Sequence, residues 1–217
     1  MKLVIGNKNY SSWSLRPWLL LSAFNVPFEE IQESLAPDGL PQRFARYSPT
    51  RRVPVLMDGD LAVWDSLAIC EYVSEQYLDG RGWPAEMSQR ARARSVCAEI
   101  HAGLSGLRSA LPMNCRAHRH VDLSAAAAAD VARVDAMWSD CLAASSGKGP
   151  WLFGEFSIAD CFYAPVALRF LTYDVEISEA AQAYVSQLLG HPSVRRWLAD
   201  AQRETEVIDN DEAGTPV

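Results

Sequence analysis

The chain has 217 residues, 49% of them apolar and 22% charged, enough to bury a sizeable core without disulfides or metals. A net charge of -7 excludes nucleic acid as a partner, because binding a phosphate backbone needs a basic stripe to release its counterions. The five cysteines (Cys70, Cys97, Cys115, Cys141 and Cys161) are odd in number and lack C-x-x-C spacing, so they read as reduced core thiols of a cytoplasmic protein.

Leu3, Val4 and Ile5 form an apolar run with the character of a buried strand. The turn Ser11-Ser12-Trp13-Ser14 then leads into Leu15-Arg16-Pro17-Trp18-Leu19-Leu20-Leu21, the first turns of a helix. Val26-Pro27 ends that helix, and residues 28–32 predict a second strand. A short helix follows over residues 40–47. Val53-Pro54-Val55-Leu56-Met57 and Leu61-Ala62-Val63-Trp64 flank Asp58-Gly59-Asp60, a strong local hairpin signal. Ser66 reads as the cap of a helix that carries Leu67, Ile69, Cys70, Val73 and Tyr77 and ends near Asp79-Gly80. The order βαβαββα predicts a small α+β domain with one mixed sheet over residues 1–80.

Residues 81–86, opening on Arg81-Gly82-Trp83-Pro84, read as a linker. Beyond it no strand is expected, and residues 87–205 read as an all-α domain. Val96, Ile100, Leu104, Leu107 and Leu111 predict one long helix over residues 87–111, stopped by Pro112. A second runs over 123–144, opening on an alanine run. Three more are expected over 158–171, 178–189 and 192–204. The acidic stretch 206–217 is expected to trail flexibly into solvent. No apolar leader region precedes the first strand, and no run of about 18 uncharged apolar residues occurs, so a membrane span is not expected.

Three short motifs carry chemistry. A hydroxyl-rich strand-to-helix turn at Ser11 presents free N–H groups and the positive helix end to an anion or thiolate, although a serine at a helix start is also an ordinary cap. Val53-Pro54 at a strand entrance, if cis, turns the Val53 backbone outward to pair with an extended peptide. Asp65-Ser66 at a third helix N-terminus offers a carboxylate for an ammonium and a hydroxyl for a carboxylate.

In this order and spacing the motifs resemble those of a cytosolic glutathione transferase, with a thioredoxin-like N-terminal domain and an all-helical C-terminal domain. The resemblance extends from Met1 to about Glu204. It implies glutathione as co-substrate, no metal, a small electrophile as partner, and a homodimer. It assigns the thiolate to Ser11, with Ser12 the alternative donor, and the tripeptide to Ser11, Ser12, Trp13, Arg52, Val53, Pro54, Asp65 and Ser66. The turn is most similar to that of the zeta class, which reads Ser-Ser-Cys-Ser-x-Arg and whose members isomerise maleylacetoacetate; here Trp13 stands in place of the cysteine. On that alignment Arg169 resembles an arginine that binds substrate carboxylates. His101, Arg108 and Met113 are expected to join Arg169 on the wall of the second-substrate site. Conjugation, isomerisation and glutathione binding with little turnover all fit these residues. Ser157-Ile158-Ala159-Asp160 is an S-x-x-D capping box and resembles the folding signature of the helical domain.

Overall fold

A computed structural model describes all 217 residues. The chain runs β1 (Lys2–Ile5), α1 (Ser12–Ala23), β2 (Glu29–Gln32), α2 (Leu40–Ala45), β3 (Val55–Asp58), β4 (Leu61–Trp64) and α3 (Ser66–Tyr77). The sheet order is β2-β1-β3-β4, with β2 parallel to β1 and β3 and β4 antiparallel to their neighbours. The βαβαββα order of a thioredoxin-like unit is therefore present, followed by a helical region. Leu3, Val4 and Ile5 are buried because β1 is central and covered on both faces, whereas β4 lies at the edge and stays partly exposed. The hairpin closes at Gly59, whose φ of 59° suits glycine in a tight turn.

The second region holds α4 (Met87–Ala102), α5 (Ser105–Ala110), β5 (Arg119–His120), α6 (Ala125–Ala144), α7 (Ile158–Thr172), α8 (Glu179–Gly190) and α9 (Pro192–Arg203). The long helix expected over 87–111 is two helices. Gly103 is extended and Leu104 is left-handed at φ 52°, so α5 turns away to pack on α6. There a Cβ on Gly106 would meet the Ala126 carbonyl carbon at 2.9 Å, so only glycine allows this approach.

The expected flexible tail is likewise ordered. After α9 the chain folds back, makes a 3-10 turn at Asp209–Asp211, and ends in β6 (Thr215–Pro216), which pairs antiparallel with β5. That pair is also the strand the helical region was not expected to contain. The carboxylates of this strap hold it in place. Glu204 accepts from the backbone N–H groups of Lys8 (2.6 Å) and Asn9 (2.9 Å), Glu206 from the Asn7 amide (2.7 Å), and Glu212 from the Tyr10 hydroxyl (2.6 Å). They thus fix Asn7 to Tyr10, the segment leading into Ser11.

One apolar cluster of 44 buried residues runs from Leu3 in β1 to Trp197 in α9, so the two regions share a core. Helix α7 is its axis and is almost wholly buried, with α1 packed along it. At its start the buried Asp160 carboxylate accepts from the Ser157 N–H (2.9 Å) and hydroxyl (3.1 Å), the Leu152 N–H (3.2 Å) and the Tyr184 hydroxyl (2.9 Å). Burial pushes this carboxyl up to about 6 despite the four donors.

Candidate active site

Two adjoining cavities, of about 500 and 480 Å³, lie between the sheet domain and the α4–α5 corner. Both are lined by Trp13, Arg52, Val53 and Arg108. The first extends over Ser11, Ser12, Met113 and Arg169; the second over Pro54, Asp65 and Ser66. The structure thus brings every expected tripeptide residue to one cleft, together with Arg108, Met113 and Arg169. His101 lines neither cavity; its ring sits against Trp13 and Asp65, which do.

Ser11 is the N-cap of α1, but its side chain caps nothing. Its Oγ donates to Ser14 Oγ (2.7 Å), which also accepts from the Gly6 N–H (3.2 Å). Ser12 is bonded in the opposite sense, because its Oγ accepts from Arg169 Nη2 (3.1 Å) and so keeps its own proton free. The N–H groups of Trp13 and Ser14 find no protein acceptor, the normal state of a first helical turn. Tyr10, one residue before the turn, also lines the cleft. Its hydroxyl is fully committed, donating to Glu212 and accepting from Arg116 (3.1 Å) and the Ile208 N–H (3.3 Å). Burial, then the Glu212 contact, raises the Tyr10 pKa.

Across the cleft the Val53–Pro54 peptide bond is cis, and neither the N–H nor the carbonyl of Val53 has a partner within the protein. Asp65, not Ser66, caps α3. It adopts φ 77°, and its Oδ1 accepts from the N–H groups of Leu67 (2.8 Å) and Ala68 (3.4 Å). Its Oδ2 faces His101 Nε2 at 3.2 Å. Ser66 Oγ accepts from Arg16 Nη1 (3.2 Å).

The cleft is rich in guanidinium groups that have no carboxylate partner. Arg16 is buried between the rings of Trp13 (4.2 Å) and Phe162 (4.5 Å), and its Nε has no acceptor. Burial, then the charge of Arg169, lowers its pKa to about 9. Arg169 donates from Nε to the Leu111 carbonyl (2.7 Å); burial, then Arg108, lowers it to about 10. Arg108 also lies over the Trp13 ring (5.0 Å) and donates to the Gly103 carbonyl (3.1 Å), a contact that the break between α4 and α5 creates. Trp13, which stands where the zeta-class turn has cysteine, thus contacts two cations and lines both cavities. Two charged residues of the cleft also escaped the sequence reading. Arg51 has a left-handed φ of 55°, and Asp211 comes from the strap. Only a nonlocal fold brings Asp211 here, so no local signal announces it.

Residues 10–76 match the family model described as the glutathione S-transferase N-terminal domain, and residues 120–200 match that of the C-terminal domain, together more than half of the chain. Over 60 residues the chain is 43% identical to a dichloromethane dehalogenase of Methylorubrum extorquens, covering 27% of this chain and 20% of that protein. Over 107 residues it is 30% identical to a probable maleylacetoacetate isomerase of Vibrio cholerae, covering 48% of this chain and 50% of the relative. The chain thus spans half or less of the length of the first curated relatives it matches. Among solved structures, the holo form of a maleylpyruvate isomerase, described as a bacterial zeta-class glutathione S-transferase, shares the fold at a TM-score of 0.73. Sequence identity is 23%, with 95% of this chain and all of that one covered.

Proposed function

Because the chain belongs to the glutathione S-transferase family, we propose that it binds glutathione across the two cavities and adds its sulfur to a small electrophile. The observation that carries this reading is the opposition of free donors at the start of α1 to the unpaired Val53 backbone and the Asp65-Ser66 pair. Asp65 Oδ2 takes the γ-glutamyl ammonium and Ser66 the adjoining carboxylate. Val53 pairs with the central amide, and the sulfur lies over the α1 N-terminus.

A free thiol has a pKa near 8.5, so only about 3% is thiolate at pH 7, and lowering that pKa by roughly two units takes about 2.7 kcal/mol. A helix N-terminus contributes about 0.3–1 kcal/mol, and a hydrogen bond to the charged sulfur about 1.5–3. Ser12 is the better placed donor, because the Arg169 guanidinium bonded to its oxygen leaves its proton free and makes it more acidic. Ser11 is the alternative, and its proton must first leave Ser14. Less basic sulfur is also less nucleophilic, so the remaining rate comes from holding the electrophile against it, in the cavity walled by Arg108, Met113 and Arg169.

A second reading, glutathione-dependent cis-trans isomerisation of a dicarboxylate, draws on Arg108 and Arg169, two cavity cations with no carboxylate within ion-pair distance. We place the protein in the cytoplasm as a homodimer. The apolar side chains of Leu61 and Trp64 on β4, Tyr77 on α3 and Met87 on α4 are exposed and available for pairing. No helix is long and apolar enough to cross a membrane. Steady-state kinetics with glutathione and an activated chloronitroarene test the main reading: Ser12→Ala loses turnover while Ser11→Ala retains more of it. An inactive wild type rejects conjugation, and the reverse order of the variants reassigns the donor.

A further inference from the structure

We propose that Arg16 and His101 form a positioning pair that holds Asp65 and Ser66 in register, so that the helical region sets the affinity of the γ-glutamyl end. This rests on the glutathione reading above. A guanidinium nitrogen only donates, and Arg16 Nη1 sits 3.4 Å from His101 Nδ1, so Nδ1 must carry the lone pair. The ring proton is therefore on Nε2, which faces Asp65 Oδ2 at 3.2 Å. The same Nη1 lies 3.2 Å from Ser66 Oγ. One nitrogen of Arg16 thus orients Ser66 directly and Asp65 through an imidazole.

The arrangement is specific in two ways. Asp65 spends Oδ1 on the first turn of α3, so Oδ2 alone is left for a ligand, and His101 fixes where its lone pairs point. Arg16 has no carboxylate partner to pull it away; two aromatic rings hold it, leaving its donors for this bracket. His101 stands edge-on to Trp13, at 5.1 Å between centroids, and its ring nitrogen meets the cleft at Asp65. Burial lowers the His101 pKa, in keeping with a neutral ring between a donor and an acceptor. His101 belongs to α4 and Asp65 to α3, so the bracket joins the two regions beneath the ligand.

The test is calorimetric titration of glutathione into the wild type, His101→Leu and His101→Gln, with nitrogen NMR of the full chain reading the ring tautomer. The leucine variant raises Kd roughly tenfold, as loss of one hydrogen bond to a charged group implies. The glutamine variant, whose amide still donates toward Asp65, stays close to wild type, and the free protein shows the Nε2-protonated ring. Equal Kd in the wild type and the leucine variant overturns the pair alone, as does equal weakening in both variants, which signals packing. An Nδ1-protonated ring also overturns it, with no glutathione needed. A wild type that fails to bind glutathione rejects the reading of the cleft and the bracket with it.

Discussion

Two clefts lie between the regions, and the one with the larger single cavity is not the candidate site. That cleft, about 760 Å³, lies among the end of α3, residues 79–86, the start of α4 and residues 153–157. Several of its polar groups are matched to one another, although the Ser74 hydroxyl on its wall is buried without a partner. Arg94 grips Glu71 with two bonds (2.9 and 3.2 Å), Trp83 donates to the same carboxylate (2.8 Å), Arg90 donates to the carbonyls of Pro84 and Ala85, and Glu86 caps α4. The paired cavities above Ser12 are each smaller, but they hold guanidinium groups with no carboxylate within ion-pair distance, free helical N–H groups and an unpaired Val53 backbone. A protein leaves polarity unmatched at such a site only where something else completes it. Guanidinium groups without ion-pair partners and free backbone donors, not volume, separate the two.

The comparison can be broken at several points. Ser12→Ala removes the free hydroxyl and lowers kcat by about two orders of magnitude, the scale of one lost donor to a developing or held anion; rapid kinetics at saturating glutathione measure it. Arg169→Ala raises the Michaelis constant for a carboxylate-bearing electrophile by roughly ten- to a hundredfold, with less effect on a neutral one. An unchanged constant eliminates the isomerase reading. Tyr10→Phe leaves Glu212 and the Ile208 N–H short of a partner and costs about 1–2 kcal/mol by denaturant titration, loosening the strap behind the turn. Glu71→Gln in the other cleft costs about 1 kcal/mol or less, since Arg94 is half exposed. It leaves the glutathione-dependent rate alone; a lost rate erases the contrast between the clefts.

A pH series adds a smaller effect. The charged groups around His101 are Asp65 from α3, Arg16 from α1 and Arg108 from α5, and burial outweighs the carboxylate in lowering its pKa. The unfolded chain therefore binds this proton more readily than the folded one. The stability tied to the neutral ring is complete above the ordinary value of 6.5 and falls as the pH drops below it. Denaturant titrations across that range show a steeper acid loss in the wild type than in His101→Gln; parallel curves contradict the neutral ring.

Local chemistry made the sheet domain legible. The continuous apolar run of β1, the Asp58-Gly59-Asp60 turn and the serine turn at Ser11 are decided within a few residues each. What escaped depends on distant partners. The repeat Ile100, Leu104, Leu107 and Leu111 is compatible with one helix, and only the close approach of Gly106 to α6 reveals why the chain breaks at Gly103. The tail reads as solvated acid until its carboxylates meet the backbone N–H groups of Lys8 and Asn9, far away in sequence. Arg16, an arginine within an otherwise apolar run, ties the two regions together through rings and an imidazole, without an ion pair. His101 was expected on the cavity wall, and its ring points to Asp65 because Arg16 takes its other nitrogen. Asp211 reaches the cleft only because β6 pairs with β5.

The central claim is that the start of α1 holds glutathione as thiolate. Thiolate absorbance of protein-bound glutathione against pH measures this directly, with Ser12→Ala as the comparison. The expected wild-type midpoint lies roughly two units below the free value near 8.5, and the variant's midpoint moves back toward it. A bound thiol that titrates at the free value in the wild type contradicts the account.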